Sequence, residues 1–313
     1  MKRIGLVAVF SLSLLPPPIN AQPPLQAGGA GLQPPLLATA AALKAQFAER
    51  LEAIARQVDG VVGYTIVDLT SGDRFARFEN SVFPTASTIK LAILYELYVQ
   101  AQEGRVRLDA VKTLDRAAAV GGSGVLFELG TPSLALRDYA VLMIVLSDNT
   151  ATNVLIDTLG MSSITSRMRA LGLGETRLRR KMIDLAAARR GDENVSTPAE
   201  IARLLEIYYK GEGLQPASRD DALAILKKDK DTPLVRGLPA GTVVASKPGE
   251  LEGVRVDAGI VFARNRPYIL SIMTSWLADD EAGAKAIEAL SRAAYGYFSR
   301  LGAGSDYGRR IGR

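Results

Sequence analysis

Two hydrophobic periodicities alternate along this chain, and their order is what most restricts its fold. Residues 40–58 repeat near every 3.6 positions, stacking Leu43, Phe47, Leu51, Ile54 and Ala55 on one stripe, which predicts an amphipathic helix. Strand-like runs follow at 61–69 and 74–78, separated by the turn Thr70-Ser71-Gly72-Asp73. Helical patterns then fill the middle, at 87–103, 134–146, 151–159, 162–171, 198–209 and 219–228. Thr197-Pro198-Ala199-Glu200 supplies a capping threonine and a first-turn proline for one of them. Strand patterns return at 243–247, 253–264 and 268–276, and an amphipathic helix covers 279–301.

Strands at both ends of the chain can share one sheet. The expected fold is therefore α+β: a five-stranded antiparallel sheet flanked by the N- and C-terminal helices, beside an all-helical subdomain. The expected boundaries are 39–84 with 238–303 for the α/β part and 85–237 for the helical part. Function would sit in the cleft between them.

The ends carry different signals. Lys2 and Arg3, an apolar run to Leu15 and the small-residue site Ile19-Asn20-Ala21 predict a signal peptide over 1–21, and hence an exported, periplasmic or secreted protein. The alternative, a retained anchor, is disfavoured because the run stops at Pro16-Pro17-Pro18, too short to span a bilayer. Residues 22–38, rich in Pro, Gly, Ala and Leu, read as a flexible linker, and 304–313 as a basic tail. Apolar residues at 48% and charged ones at 23% fit a globular protein with a sizeable core. The net charge of +5 is taken as a solvated surface, and no phosphate loop or basic-aromatic stripe points to nucleic acid. The expectation is a monomer that acts without a cofactor.

Cysteine and histidine are both absent, which removes disulfides, thiol chemistry and the usual zinc ligands. It also removes the usual base for a serine nucleophile, so a catalytic serine must be activated by lysine or a carboxylate. Ser87-Thr88-Ile89-Lys90 offers that pairing, a hydroxyl and an amine one helical turn apart on one face. Alone it is weak, since Ser87 could simply cap a helix over a solvated Lys90. Ser147-Asp148-Asn149 follows on a connection between helices, where a plain turn would use the same residues, and Lys247-Pro248-Gly249 sits at the end of an apolar strand. Only the ordered triple is specific.

In that order and spacing the chain resembles the class A β-lactamase family, whose motif set is Ser-x-x-Lys, Ser-Asp-Asn and Lys-Thr-Gly. The resemblance covers about residues 40–301 and implies a β-lactamase/transpeptidase-like fold. It implies that Ser87 attacks a lactam or peptide carbonyl, activated by a partly neutral Lys90. Ser147 would pass a proton to the leaving nitrogen, and Lys247 would hold that serine and attract a substrate carboxylate. Asn149 would bind the acyl side-chain amide, and the backbone N–H groups of Ser87 and of Glu250, beside Gly249, would form the oxyanion hole. The substrate would be a β-lactam or a peptidoglycan stem peptide.

Two departures stand out. The family's deacylating glutamate falls at Met182 or Lys181, neither a carboxylate; Asp184 is the nearest acid, equally readable as a surface charge beside Arg179 or Arg180. General-base help is worth ~10²–10⁴ in rate, so deacylation is expected to be slow. Pro248 replaces the third motif's hydroxyl residue, leaving the substrate carboxylate to Lys247 and to Arg255, which reads equally well as a surface charge. A D-Ala-D-Ala carboxypeptidase or amidase therefore stands beside the β-lactamase reading. A β-lactam sensor that acylates once is less favoured, because no output segment follows Leu301.

Overall fold

The computed structural model describes residues 36–305 and 307–311, with side chains from residue 39 onward. Helix α1 (Leu36–Ala55) begins inside the expected linker, so residues 36–38 are helical instead; Leu-Leu-Ala is a helix-favouring start. The expected signal peptide and the rest of that linker lie outside the described residues. Among the described residues no helix is long and apolar enough to cross a membrane.

Strands β1 (Val61–Asp68), β2 (Arg74–Arg77) and the two-residue β3 (Phe83–Pro84) come next. A 3₁₀ turn over Ala86–Ile89 then leads into α2 (Lys90–Gln102). The middle contains β4 (Val111–Thr113), β5 (Ser133–Ala135), α3 (Leu136–Val145), α4 (Asn149–Leu159), α5 (Met161–Ala170) and α6 (Leu185–Arg189). It continues through β6 (Val195–Ser196), α7 (Pro198–Lys210), α8 (Pro216–Leu226) and α9 (Pro233–Arg236). Strands β7 (Val244–Leu251), β8 (Val254–Val261) and β9 (Tyr268–Ser275) and helix α10 (Asp280–Ala303) complete the order.

The large sheet runs β2-β1-β9-β8-β7, every pair antiparallel, so the two chain ends meet at β1 and β9 as expected. One face carries α1 and α10 through Leu51, Ile66, Ile287 and Leu290. Its aromatic layer stacks Phe47 on Tyr297 and Tyr268 on Phe298, each pair at 4.2 Å. The other face packs against the helices of the middle segment, with Leu94, Leu205 and Tyr208 in the same core as Val256, Ala258 and Met273. Each such side chain contributes about 1.5–3 kcal/mol on burial.

Helix α2 is buried all round, from Lys90 to Gln100, so its polar residues need internal partners. Gln100 donates to Glu96 at 2.7 Å, and Glu96 pairs with Arg167 at 2.8 Å. The remaining buried polar residue at the head of the helix is Lys90.

The third motif is not at a strand end. Strand β7 continues through Lys247-Pro248-Gly249 to Leu251, pairing with β8 all the way. Proline survives there because of register. Arg255, opposite Glu250, directs its N–H to Thr274 on β9, so the backbone groups of Glu250 and of Pro248, two residues back, point to the open edge of β7. No ladder bond is lost at Pro248.

Candidate active site

Three segments deliver the motif residues to one place. Ser87 lies in the 3₁₀ turn that precedes α2, not inside the helix as its periodicity suggested, and Lys90 is the first α-helical residue. Ser147 follows α3, and Asp148 caps α4 by accepting from Ala151 N at 2.8 Å. The other Asp148 oxygen accepts from Val125 N at 2.7 Å and Leu126 N at 2.9 Å, which ties the 121–126 loop to the site. Gly124 must be glycine, because a Cβ there would lie 2.1 Å from that oxygen.

Strand β7 closes the third side. A Cβ on Gly249 would meet Ser87 N at 2.7 Å and Thr88 N at 2.9 Å, so only glycine lets the strand approach the nucleophile turn this closely. The amides of Ser87 and Glu250 border that approach, and the latter points off the open strand edge.

At the centre is the Ser147 hydroxyl. It donates to Ser87 Oγ at 2.8 Å and accepts from Lys90 Nζ at 3.0 Å and Lys247 Nζ at 3.1 Å. Lys90 Nζ also donates to Ser147 O at 2.7 Å and Asn149 Oδ1 at 3.1 Å, and Lys247 Nζ to Pro248 O at 2.8 Å. Both lysines are fully buried. Burial, reinforced by the charge of Lys247, pushes the Lys90 amine well below its usual value against a weaker pull from Asp148. Burial brings Lys247 down to about 7, with Asp257 opposing and Lys230 adding to the shift. Buried Asp257 is itself raised to about 6 by desolvation.

The backbone here is strained. Ala86 (φ 45°), Ser147 (φ 52°) and Ile183 (φ 60°) occupy the left-handed region although none is glycine. They are three of six such residues among those described, and all three border the site.

A cavity of about 270 Å³ opens beside Ser87, bordered by Asn149, Arg180, Met182, Glu193 and Glu250. Ser87, Lys90, Ser147, Asn149, Lys247, Gly249 and Glu250 thus come together as the sequence expected. The amide of Asn149 is committed internally: besides Lys90, its Nδ2 donates to Gly121 O at 3.0 Å.

Two of the candidates, Arg255 and Asp184, stand apart. Arg255 pairs with Asp280 at 3.1 Å and donates to Leu251 O and Val254 O, and it does not border the cavity. Asp184 is exposed and caps the short helix α6 by accepting from Ala187 N at 2.9 Å. Met182 is buried at the cavity wall, its backbone clasped by Asn153 through bonds of 2.8 and 3.1 Å. The sequence reading missed Glu193 and offered Arg180 to Asp184, whereas Arg180 pairs with Glu193 at 2.8 Å on the same wall. The available signal was the charge of Glu193 next to Asn194, just before the strand that returns to Pro84. No group of three or more carboxylates able to hold a metal occurs among the described residues.

The model of the β-lactamase enzyme family matches residues 46–298. The chain belongs to the class A β-lactamase family. It is 30% identical to β-lactamase L2 of Stenotrophomonas maltophilia over 255 residues, 79% of this chain and 84% of the relative. Its fold is similar to PBP-A, with a TM-score of 0.76 and 30% identity over 82% of this chain and 97% of that one. A β-lactamase of Sphaerobacter thermophilus gives a TM-score of 0.74 and 32% identity over 80% and 95% of the two chains. As a member of this family the chain is a β-lactamase-like serine hydrolase.

Proposed function

We propose that the protein is exported and opens β-lactam rings through an acyl-enzyme on Ser87, releasing the product slowly. The observation that carries this reading is the Ser147 hydroxyl, held at once by Ser87 and by two buried lysine amines. With Lys90 neutral, its lone pair can take a proton that Ser87 passes through Ser147 Oγ. Ser87 Oγ then attacks the carbonyl, and the N–H groups of Ser87 and Glu250 receive the oxyanion, each worth roughly 3 kcal/mol. Ser147 returns a proton to the leaving nitrogen. Lys247, when protonated, attracts the substrate carboxylate. Asn149 holds Lys90 and the 121 loop, and through them the acyl pocket.

Slow release is supported by Met182 and Lys181, neither a carboxylate, at the two positions where the resemblance puts the family's water-activating glutamate; of the two, Met182 is on the cavity wall. That feature equally favours a second reading, a D-Ala-D-Ala carboxypeptidase, since peptide acyl transfer uses the same nucleophile. The likeness to PBP-A, a variant of which forms an acyl-enzyme with penicillin G, is consistent with either. The basic and apolar N-terminus supports export.

Mass spectrometry of the purified protein mixed with penicillin G, beside Ser87→Ala, tests the acyl-enzyme. A covalent adduct on the parent and none on the variant is the expected result. A chromogenic cephalosporin and a D-Ala-D-Ala peptide then divide the two readings. Turnover of the peptide alone would assign the carboxypeptidase, and neither adduct nor turnover would overturn both.

A further inference from the structure

We infer that Glu193 is the carboxylate that activates water for release of the acyl group. The inference rests on the acyl-Ser87 reading and concerns its second half.

Register places this residue. Strands β3 and β6 pair Phe83 with Ser196 and Pro84 with Val195. The ladder runs one step further, because Thr85 N donates to Asn194 O at 2.9 Å and Thr85 Oγ1 to the same oxygen at 3.0 Å. The ladder ends there, because Thr85 turns helical (φ −86°, ψ −16°) and Ala86 is left-handed (φ 45°), so Glu193 and Ala86, the neighbour of Ser87, flank its last rung. Ala86, Ser87 and Glu193 border the same cavity.

The position is braced from the other side as well. Asn194 Oδ1 accepts from Arg179 N at 2.7 Å and Arg180 N at 3.0 Å, and its Nδ2 donates to Arg180 O at 3.1 Å. Arg180 in turn donates to Glu193 Oε2 at 2.8 Å, which fixes one carboxylate oxygen and leaves Oε1 as the acceptor for a water. The Arg180 side chain is 11% exposed and that of Glu193 30%, so the guanidinium is the fixed partner that orients the carboxylate. Two other candidates are less suited: Asp184 is occupied as a cap at the surface, and exposed Glu250 lies on the oxyanion side of Ser87.

The step balances without any further reactant than water. Glu193 takes one proton from a water whose oxygen bonds to the ester carbon of acyl-Ser87. The tetrahedral intermediate collapses with cleavage of the carbon–Oγ bond, and the proton held by Glu193 passes to the Ser87 oxygen, which regenerates the carboxylate. The acid leaves and Ser87 is restored.

Glu193→Gln keeps the shape of the side chain and removes the base. Adduct formation and adduct decay would be timed separately by mass spectrometry with penicillin G, with cephalosporin turnover in parallel. The expected result is decay, or turnover where decay is limiting, slowed at least about tenfold with formation changed less than about twofold. The acid limb of the decay pH profile would vanish, and Glu193→Asp would restore part of the rate. Equal slowing of formation and decay would mark Glu193 as a loop brace and overturn the assignment, as would unchanged decay. A parent protein with neither adduct nor turnover would instead sink the acyl-Ser87 reading.

Discussion

The two sides of the Ser87 cavity are built on different principles. On one side, Lys90, Ser147 and Lys247 form a cluster whose polar atoms already hold one another, its two lysines buried on the head of a helix and on a paired strand. On the other, the segment from Arg177 to Asn194 offers an apolar Met182, an exposed Asp184 used as a cap and, on the cavity wall, the braced pair of Arg180 and Glu193. Acyl transfer to serine needs preorganised donors and a desolvated amine, and the first side supplies both. Hydrolysis needs a base beside a water, and the second side supplies one only at Glu193. The contrast teaches that the two half-reactions of one site can be strengthened or weakened separately.

Replacing Lys90 would break the contrast from its stronger side. Lys90→Ala should slow adduct formation by ~10³, read as the rate of penicillin acylation, because the proton acceptor is lost and Asn149 Oδ1 is left without its partner. Met182→Glu sharpens it from the weaker side. A carboxylate at that wall should speed adduct decay by ~10² while leaving formation nearly as it was, and unchanged decay would refute the assignment of slow release to this position.

The pH profile separates the two lysines. The acylation rate should rise with pH as Lys90 loses its proton, while affinity for carboxylate-bearing substrates should weaken above about 7 as Lys247 becomes neutral. The stability sign is opposite to that of an ion pair. Lys247 binds a proton less readily folded than unfolded, so stability should increase between pH about 7 and the unfolded value of 10.5, measurable as a denaturant midpoint. A midpoint that fell across that window would contradict the buried, depressed amine.

The smallest effect is expected at Arg255. Its guanidinium serves Asp280 and two carbonyls, so Arg255→Ala should change KM for a carboxylate substrate less than about threefold. A tenfold rise in KM would return Arg255 to the site.

What the sequence disclosed follows from how local each feature is. The large sheet, the long helices and the cluster of Ser87, Lys90, Ser147 and Lys247 were legible, because each depends on a periodicity or a short motif. The position of Glu193 was not, since it depends on a two-residue ladder whose partners are 113 and 111 positions apart, and two residues carry no period. Helices α6 and α9, of five and four residues, are equally silent. The length of β7 was misread because proline demotes a strand unless its nitrogen faces outward, a fact of register that no single segment contains. Arg255 and Asn149 look available in sequence and are committed in space, to Asp280 and to Gly121.

The open border of β7 has a bearing on what can lie against it. An extended peptide docking there would form a short additional strand, and the imino residue at 248 denies it one rung of that ladder. Recognition along this border must therefore run through the carbonyl of Pro248 and the amide of Glu250. Compact ligands that use two contacts suffer less from the missing rung than long chains that would use many, and sideways pairing with a second molecule is discouraged for the same reason.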